Sequence, residues 1–312
     1  MADRLHGIMP VLQTPFDAGG DIVEADVRSE VRFCIGAGAH GLVVPALASE
    51  FMVLTDDERR RLVEVVIDET RGRLPVIAGV AAPSARAAAA LAWHAGRAGA
   101  AAVMALPPYV RRPGTKGIIE YYARISEAAG VPVVLQNAPP PFAFGIGSAA
   151  LGDLLERVPG IQYVKEERPP AGHNISATLN ALGDRLLGVF GGTAGLYLMD
   201  ELERGSSGCM PSAAATDVLV ACYEAFARGD RHGARDYYDR AMPLLNIEMS
   251  RLMAVSKEIL RRRGVFTSPV VVRDPEFPEL DAGDMAEIDM IWERLGSTLA
   301  TLPREKEARA TV

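Results

Sequence analysis

Short apolar runs alternate along this chain with longer stretches in which apolar positions return every three or four residues. The short runs are Ile8–Leu12, Gly41–Pro45, Pro75–Val80, Ala101–Leu106, Pro132–Gln136, Ile161–Lys165, Leu186–Phe190 and Gly208–Pro211. Their length and β-branched content predict buried strands. The stretches between them predict helices over 24–37, 55–71, 84–97, 116–129, 148–157, 172–182, 194–204 and 213–228. Thr55-Asp56-Asp57-Glu58 has the spacing of a capping box, and Ser148 stands where it can cap the helix over 148–157. Gly72, Gly99, Gly130, Gly160 and Gly183 fall where helices should end.

Eight strands, each followed by a helix, is the count of a (β/α)8 TIM barrel. Near-continuous apolar strands agree with it, because parallel strands are covered on both faces. A doubly wound open α/β sheet has the same alternation, and the count alone does not decide closure. Residues 230–263 and 283–302 predict extra C-terminal helices. Gly264–Pro278, with four Gly or Pro, predicts a loop between them. The expected organisation is a barrel over 1–230, a helical extension over 231–302 and a frayed tail over 303–312.

Composition narrows the function. With 49% hydrophobic residues the chain has ample material for a core, and disorder as its main state is excluded. A net charge of -7 argues against a nucleic-acid or anionic-membrane partner. The most apolar stretch, Ala87–Leu106, is broken by His94 and Arg97 and makes a poor membrane span. Cys34, Cys209 and Cys222 are widely spaced with no CxxC, which predicts reduced thiols in a cytoplasmic protein. The five histidines show neither HxH nor HExxH spacing, so no protein-ligated metal is expected. Gly36-Ala37-Gly38-Ala39-His40-Gly41 matches GxGxxG, but it follows a helix and opens a strand. A dinucleotide site needs the reverse order, so this reads as a helix end and turn.

In a barrel, chemistry sits at the C-terminal ends of the strands. One residue there stands out. Only four of the 33 Lys and Arg residues are lysines (Lys116, Lys165, Lys257 and Lys306), so arginine supplies the generic surface charge. Lys165 closes an apolar strand. A neutral amine in an apolar mouth is a nucleophile for a carbonyl carbon. The alternative is a lysine whose stem lies on the barrel rim and whose head reaches solvent.

Six segments then match a known pattern in order and spacing. They are Gly7-Ile-Met-Pro-Val-Leu-Gln-Thr-Pro-Phe16, the loop ending in Glu50 with Leu54-Thr-Asp-Asp-Glu-Arg59, Pro107-Pro108-Tyr109, Leu135-Gln-Asn-Ala-Pro139, Val164-Lys165-Glu166 and Gly191-Gly192. Over about residues 5–230 the chain resembles the dihydrodipicolinate synthase / N-acetylneuraminate lyase family of class I aldolases. The resemblance implies a (β/α)8 barrel, a homotetramer, and a Schiff base between Lys165 and a 2-oxo acid. It implies no cofactor beyond that covalent imine. Tyr109 falls on the family tyrosine that enters a neighbouring subunit's site.

The chain also departs from the pattern. Leu47 and Ala48 replace the usual hydroxyl pair after the second strand, and Ser49 replaces a glycine. Gln136 replaces the tyrosine that relays protons at the imine. An amide donates and accepts hydrogen bonds but does not titrate. Pro139-Pro140-Pro141-Phe142 occupies the stretch where the synthase carries an arginine for its aldehyde substrate. These changes argue against both the lysine-pathway synthase and the sialic-acid lyase.

Residues two apart on a strand share a face, so Glu167 should point inward with Lys165 while Glu166 points toward the helices. Glu167 is thus the candidate base in place of the lost tyrosine. The alternative is that the strand has ended and Glu167 is solvated or pairs with Arg168. Glu50 is expected to hold its loop. Ser49, with the amides of the 46–50 loop, is a candidate for the substrate carboxylate. Asn137 either fixes the loop after the fifth strand or touches substrate. Gly191, Gly192 and Thr193 are expected to let substrate approach the backbone, and Met210 in the eighth strand to line the same mouth.

The combination of Gln136, Glu167 and Leu47-Ala48 most resembles the branch containing 2-keto-3-deoxy sugar-acid dehydratases, the L-2-keto-3-deoxyarabonate type among them. The expected activity is dehydration of such an acid. Pyruvate-dependent aldol chemistry uses the same lysine and is the alternative. A third reading is a catalytically silent relative that binds oxo acids.

Overall fold

Eight strands form where the short apolar runs predict them: β1 Gly7–Ile8, β2 Leu42–Val44, β3 Val76–Gly79, β4 Ala102–Ala105, β5 Val133–Asn137, β6 Ile161–Glu166, β7 Gly188–Gly191 and β8 Gly208–Cys209. The computed structural model describes residues 4–275 and 279–295. All eight strands are parallel, in the order β1-β8-β7-β6-β5-β4-β3-β2. Val11, just beyond β1, bridges both Val43 and Ser212, so the sheet closes on itself. The molecule is a (β/α)8 barrel rather than a doubly wound sheet.

Eight helices cover it: α1 Glu24–Gly36, α2 Asp56–Thr70, α3 Ala85–Ala98, α4 Thr115–Ala129, α5 Ser148–Arg157, α6 Ala171–Leu182, α7 Leu198–Glu203 and α8 Thr216–Ala227. The start of α2 is as read: Thr55 Oγ1 accepts from Glu58 N, and the Glu58 carboxylate accepts from Thr55 N. Ser148 does not cap α5. It is the first helical residue, and Gly147 holds the extended cap position. The last two barrel helices start later than expected, because short 3-10 turns at Thr193–Gly195 and Ala213–Ala215 precede them.

Alternation along the strands sorts two cores. Met9, Val43, Ile77, Met104, Val134, Tyr163, Phe190 and Met210 fill the barrel interior. The intervening strand residues pack outward against the helices. Lys165 and Gln136 continue the inward series begun by Tyr163 and Val134. They are direct neighbours in the β5–β6 register.

The helical extension begins with α9, Arg231–Arg262, capped by Asp230. Pro243 lies inside it, and Arg251 leaves helical geometry. Its far half returns over the barrel mouth. Thr267 and Ser268 amides then donate to Asp26, and Arg273 N donates to Glu50. α10, Ala282–Leu295, packs against α9. The expected continuation over 296–302 and the tail over 303–312 lie outside the described residues. Cys34, Cys209 and Cys222 are buried free thiols. Among the described residues no helix is long and apolar enough to cross a membrane.

Candidate active site

Lys165 ends its strand at the C-terminal mouth, in a cavity of about 210 Å³. The residue is 4% exposed, so its ammonium is not a surface charge. Its partner is Glu167, with Nζ and Oε1 3.1 Å apart. Strand β6 ends at Glu166, but Glu167 N still donates to Asn137 O at 3.1 Å, so Glu167 keeps the inward direction. Three groups fix its carboxylate: Lys165, the Gln136 amide, which donates to Oε2 at 2.8 Å, and Thr193 N, which donates to Oε1 at 3.1 Å. The charge-assisted bonds set both rotamer and orientation. Glu166 turns outward and takes Arg168 at 2.9 Å and the Asn137 amide at 2.8 Å. The Arg168 pairing considered for Glu167 therefore belongs to its neighbour.

Backbone shape serves the same carboxylate. Thr193 and Ala194 have φ of 52° and 55°, in the left-handed region that non-glycine residues seldom adopt. This turn aims the Thr193 amide at Glu167. A Cβ on Gly192 would collide with the Glu167 side chain, and one on Gly191 would collide with the carboxyl of Glu201. The two glycines thus make room for this chain's own acids.

The remaining expected residues divide. Leu47, Ala48, Thr193 and Met210 line the cavity with Lys165 and Glu167. Ser49 does not. It is fully buried, its hydroxyl donates to Leu12 O at 2.5 Å and accepts from Ala46 N at 3.0 Å. A hydroxyl has one proton to donate, and Ser49's is spent on holding the loop. Asn137 fixes the loop after β5 by exchanging bonds with both backbone groups of Ile146. Glu50 binds Lys257 and Arg273 N. Tyr109 lies outside the cavity lining, with its ring edge-on to Phe51 at 5.8 Å.

Sequence reasoning missed several lining residues: Phe142, Tyr197, Ser212 and Met249. Ser212 follows strand β8 and was in principle findable by its strand-end position. Met249 comes from α9, whose path across the mouth no local pattern reveals. Among the described residues no three His, Cys, Asp or Glu side chains gather as a metal site. What the arrangement offers is an amine beside a carboxylate in a largely apolar cup, a setting for imine formation and proton transfer at the adjacent carbon.

Comparison with known proteins identifies the family and the fold. The family model described as the dihydrodipicolinate synthetase family matches residues 4–284. An L-2-keto-3-deoxyarabonate dehydratase of Azospirillum brasilense is 33% identical over 298 residues, covering 94% of this chain and 95% of that protein. A 4-hydroxy-tetrahydrodipicolinate synthase of Nitrobacter hamburgensis is 32% identical over 243 residues, covering 77% and 80%. A solved prophage protein of the dihydrodipicolinic acid synthase family from E. coli K12, in complex with pyruvate, superposes with a TM-score of 0.87. It is 23% identical, over 94% of this chain and 99% of that one, and shares the fold.

Proposed function

The chain belongs to the dihydrodipicolinate synthetase family, and on that premise we propose that it dehydrates a 2-keto-3-deoxy sugar acid through an imine on Lys165. It is a lyase of the class I, Schiff-base type. The observation that carries the dehydratase reading is the Glu167 carboxylate, 3.1 Å from Lys165 Nζ and held by Gln136 where the family pattern has a titrating tyrosine.

The chemistry follows from these positions. The neutral Lys165 amine adds to the C2 carbonyl, and the oxygen leaves as water with one proton from the amine and one from solvent. The protonated imine withdraws electrons, so the C3 proton becomes acidic. Glu167 takes that proton, and the C–H electron pair enters the enamine. The enamine expels the C4 hydroxyl, which leaves as water with the proton Glu167 had taken. Hydrolysis of the unsaturated imine restores Lys165. One carboxyl therefore acts as base and then as acid.

The substrate carboxylate is assigned to the Leu47 and Ala48 amides, which open a 3-10 turn and so have no partner inside it. Tyr109, with the exposed Val110 beside it, is assigned to an interface between copies in a homotetramer.

Borohydride trapping with pyruvate, read by intact mass and peptide mapping, tests the imine. An adduct on Lys165 that is lost in Lys165→Ala is expected. A screen of 2-keto-3-deoxy sugar acids then separates the outcomes. A dehydrated product supports the reading, cleavage to pyruvate and an aldehyde replaces it with an aldolase, and trapping without turnover replaces it with a binding protein.

A further inference from the structure

Behind the Lys165–Glu167 pair lies a second acid that the reaction above does not use. Glu201 sits on α7, where Leu198, Met199 and Leu202 form the apolar face. At this helical spacing an apolar residue would be expected at 201 as well. Glu201 is instead fully buried, and neither carboxyl oxygen has a hydrogen-bond partner of good geometry among the described residues. Its carboxyl packs against Gly191, while that of Glu167 packs against Gly192, so the two acids press on adjacent residues at the end of β7.

An isolated buried carboxylate is costly, so such a group stays protonated unless it is compensated. Groups on several neighbouring elements bear on that choice. Glu167 and Lys165 face it from the β6 end, Cys209 from β8, Tyr238 from α9 and Asp200 from its own helix. Burial is the main cause that raises its pKa to about 8. The Glu167 and Asp200 charges add to the rise, and the Gly192 backbone and Lys165 oppose it.

We propose that Glu201 is a positioning residue for the Lys165–Glu167 pair, an uncharged carboxyl beneath Gly191 and Gly192 whose ionisation switches the pair off. While it is neutral, Lys165 faces the single carboxylate of Glu167 among the described residues. Once it ionises, a second negative charge holds a proton on the Lys165 ammonium. The nucleophile is then lost. The proposal rests on the Schiff-base reading above.

Two measurements test it. The first is the rate of borohydride-trapped adduct formation with pyruvate in wild type and Glu201→Gln, on either side of about pH 8. Gln is isosteric and stays neutral, so the two proteins are expected to agree below pH 8. One unit above it the wild type should fall roughly three- to tenfold relative to the variant, since one pKa unit is a factor of ten. Superimposable profiles overturn the proposal. A purely structural role for Glu201 would not separate the profiles in this way.

The second measurement is the infrared carbonyl band of a protonated carboxylic acid, taken as the difference between wild type and Glu201→Gln. It is expected at neutral pH and should disappear as pH rises through about 8. Its absence at neutral pH overturns the proposal. If the wild type traps no pyruvate, the Schiff-base reading fails, and the infrared titration still decides whether Glu201 is the neutral acid described. Glu201→Met, also uncharged, is the second variant should Glu201→Gln fold poorly, and it is expected to give the same flattened profile.

Discussion

Lys257 and Glu50, 207 positions apart in the chain, meet at 2.5 Å with both side chains buried. The pair ties the helical extension to the loop that shapes one wall of the cavity. Lys257 also donates to Val271 O, and Glu50 accepts from Arg273 N, so the returning segment is pinned at the same point. Burial lowers the Lys257 pKa, and the Glu50 charge opposes that shift. Removing one partner strands the other charge. Lys257→Met or Glu50→Ala is expected to cost about 3–5 kcal/mol. The double variant should cost clearly less than the sum, as measured by urea unfolding. Additive losses would mean that the pair is not coupled.

Glu167→Gln should still trap pyruvate on Lys165 but lose turnover by about 10²–10⁴-fold, the usual worth of a general base. Full activity in that variant would remove Glu167 from the mechanism. Gln136→Ala deletes one of the three groups holding the carboxylate, so it should lower kcat while leaving the imine accessible.

Gly192→Ala introduces a methyl into the Glu167 side chain's space. The carboxylate must shift, and small misplacements of a reacting group are expensive in rate. The expected signature is a large fall in kcat with the fold intact by circular dichroism. Unchanged kcat would show that Glu167 has freedom the geometry does not suggest.

Ser49→Ala separates a loop-holding hydroxyl from a substrate-binding one. Loss of its bonds with Leu12 O and Ala46 N should cost about 1–3 kcal/mol of stability. Affinity for pyruvate, read from the concentration dependence of trapping, should stay the same. A weakened affinity at unchanged stability would restore Ser49 to the carboxylate site.

Glu248 supplies a pH dependence of stability. It is fully buried, accepts hydrogen bonds from Ser212 and Ser256, and its pKa is raised by burial to about 7. A carboxyl raised in the folded state binds its proton more tightly there than in the unfolded chain. Its stabilising contribution is complete below the unfolded value of 4.5 and is lost as pH rises through about 7. The stability of Glu248→Gln relative to wild type should therefore grow between those limits, by on the order of 3 kcal/mol. A constant difference across that range would show that Glu248 is ionised in the fold throughout.

Much of the site was legible because strand ends are local features. The apolar run ending at Lys165, in a chain poor in lysine, marks the nucleophile before any fold is known. Two-residue alternation on that strand gives the inward direction of Glu167, and the structure places its carboxylate beside the amine. The same logic misassigned Ser49. A hydroxyl beside a mouth looks available until its two partners, Leu12 and Ala46, are seen. Nor does that logic show that side chains from 201 and 167 stand against Gly191 and Gly192.

The sequence by itself determined the eight-fold alternation of strands and helices, the lysine at the end of the sixth strand and the carboxylate two residues on. Periodicity and propensity act over a few residues and are written where they act. Tertiary structure decided that the sheet closes through Val11, that α9 brings Met249 and Lys257 over the mouth, and that Glu201 arrives behind Glu167. Those relationships depend on packing between segments tens to hundreds of residues apart. No local pattern encodes which distant side chain will fill the space a glycine leaves open.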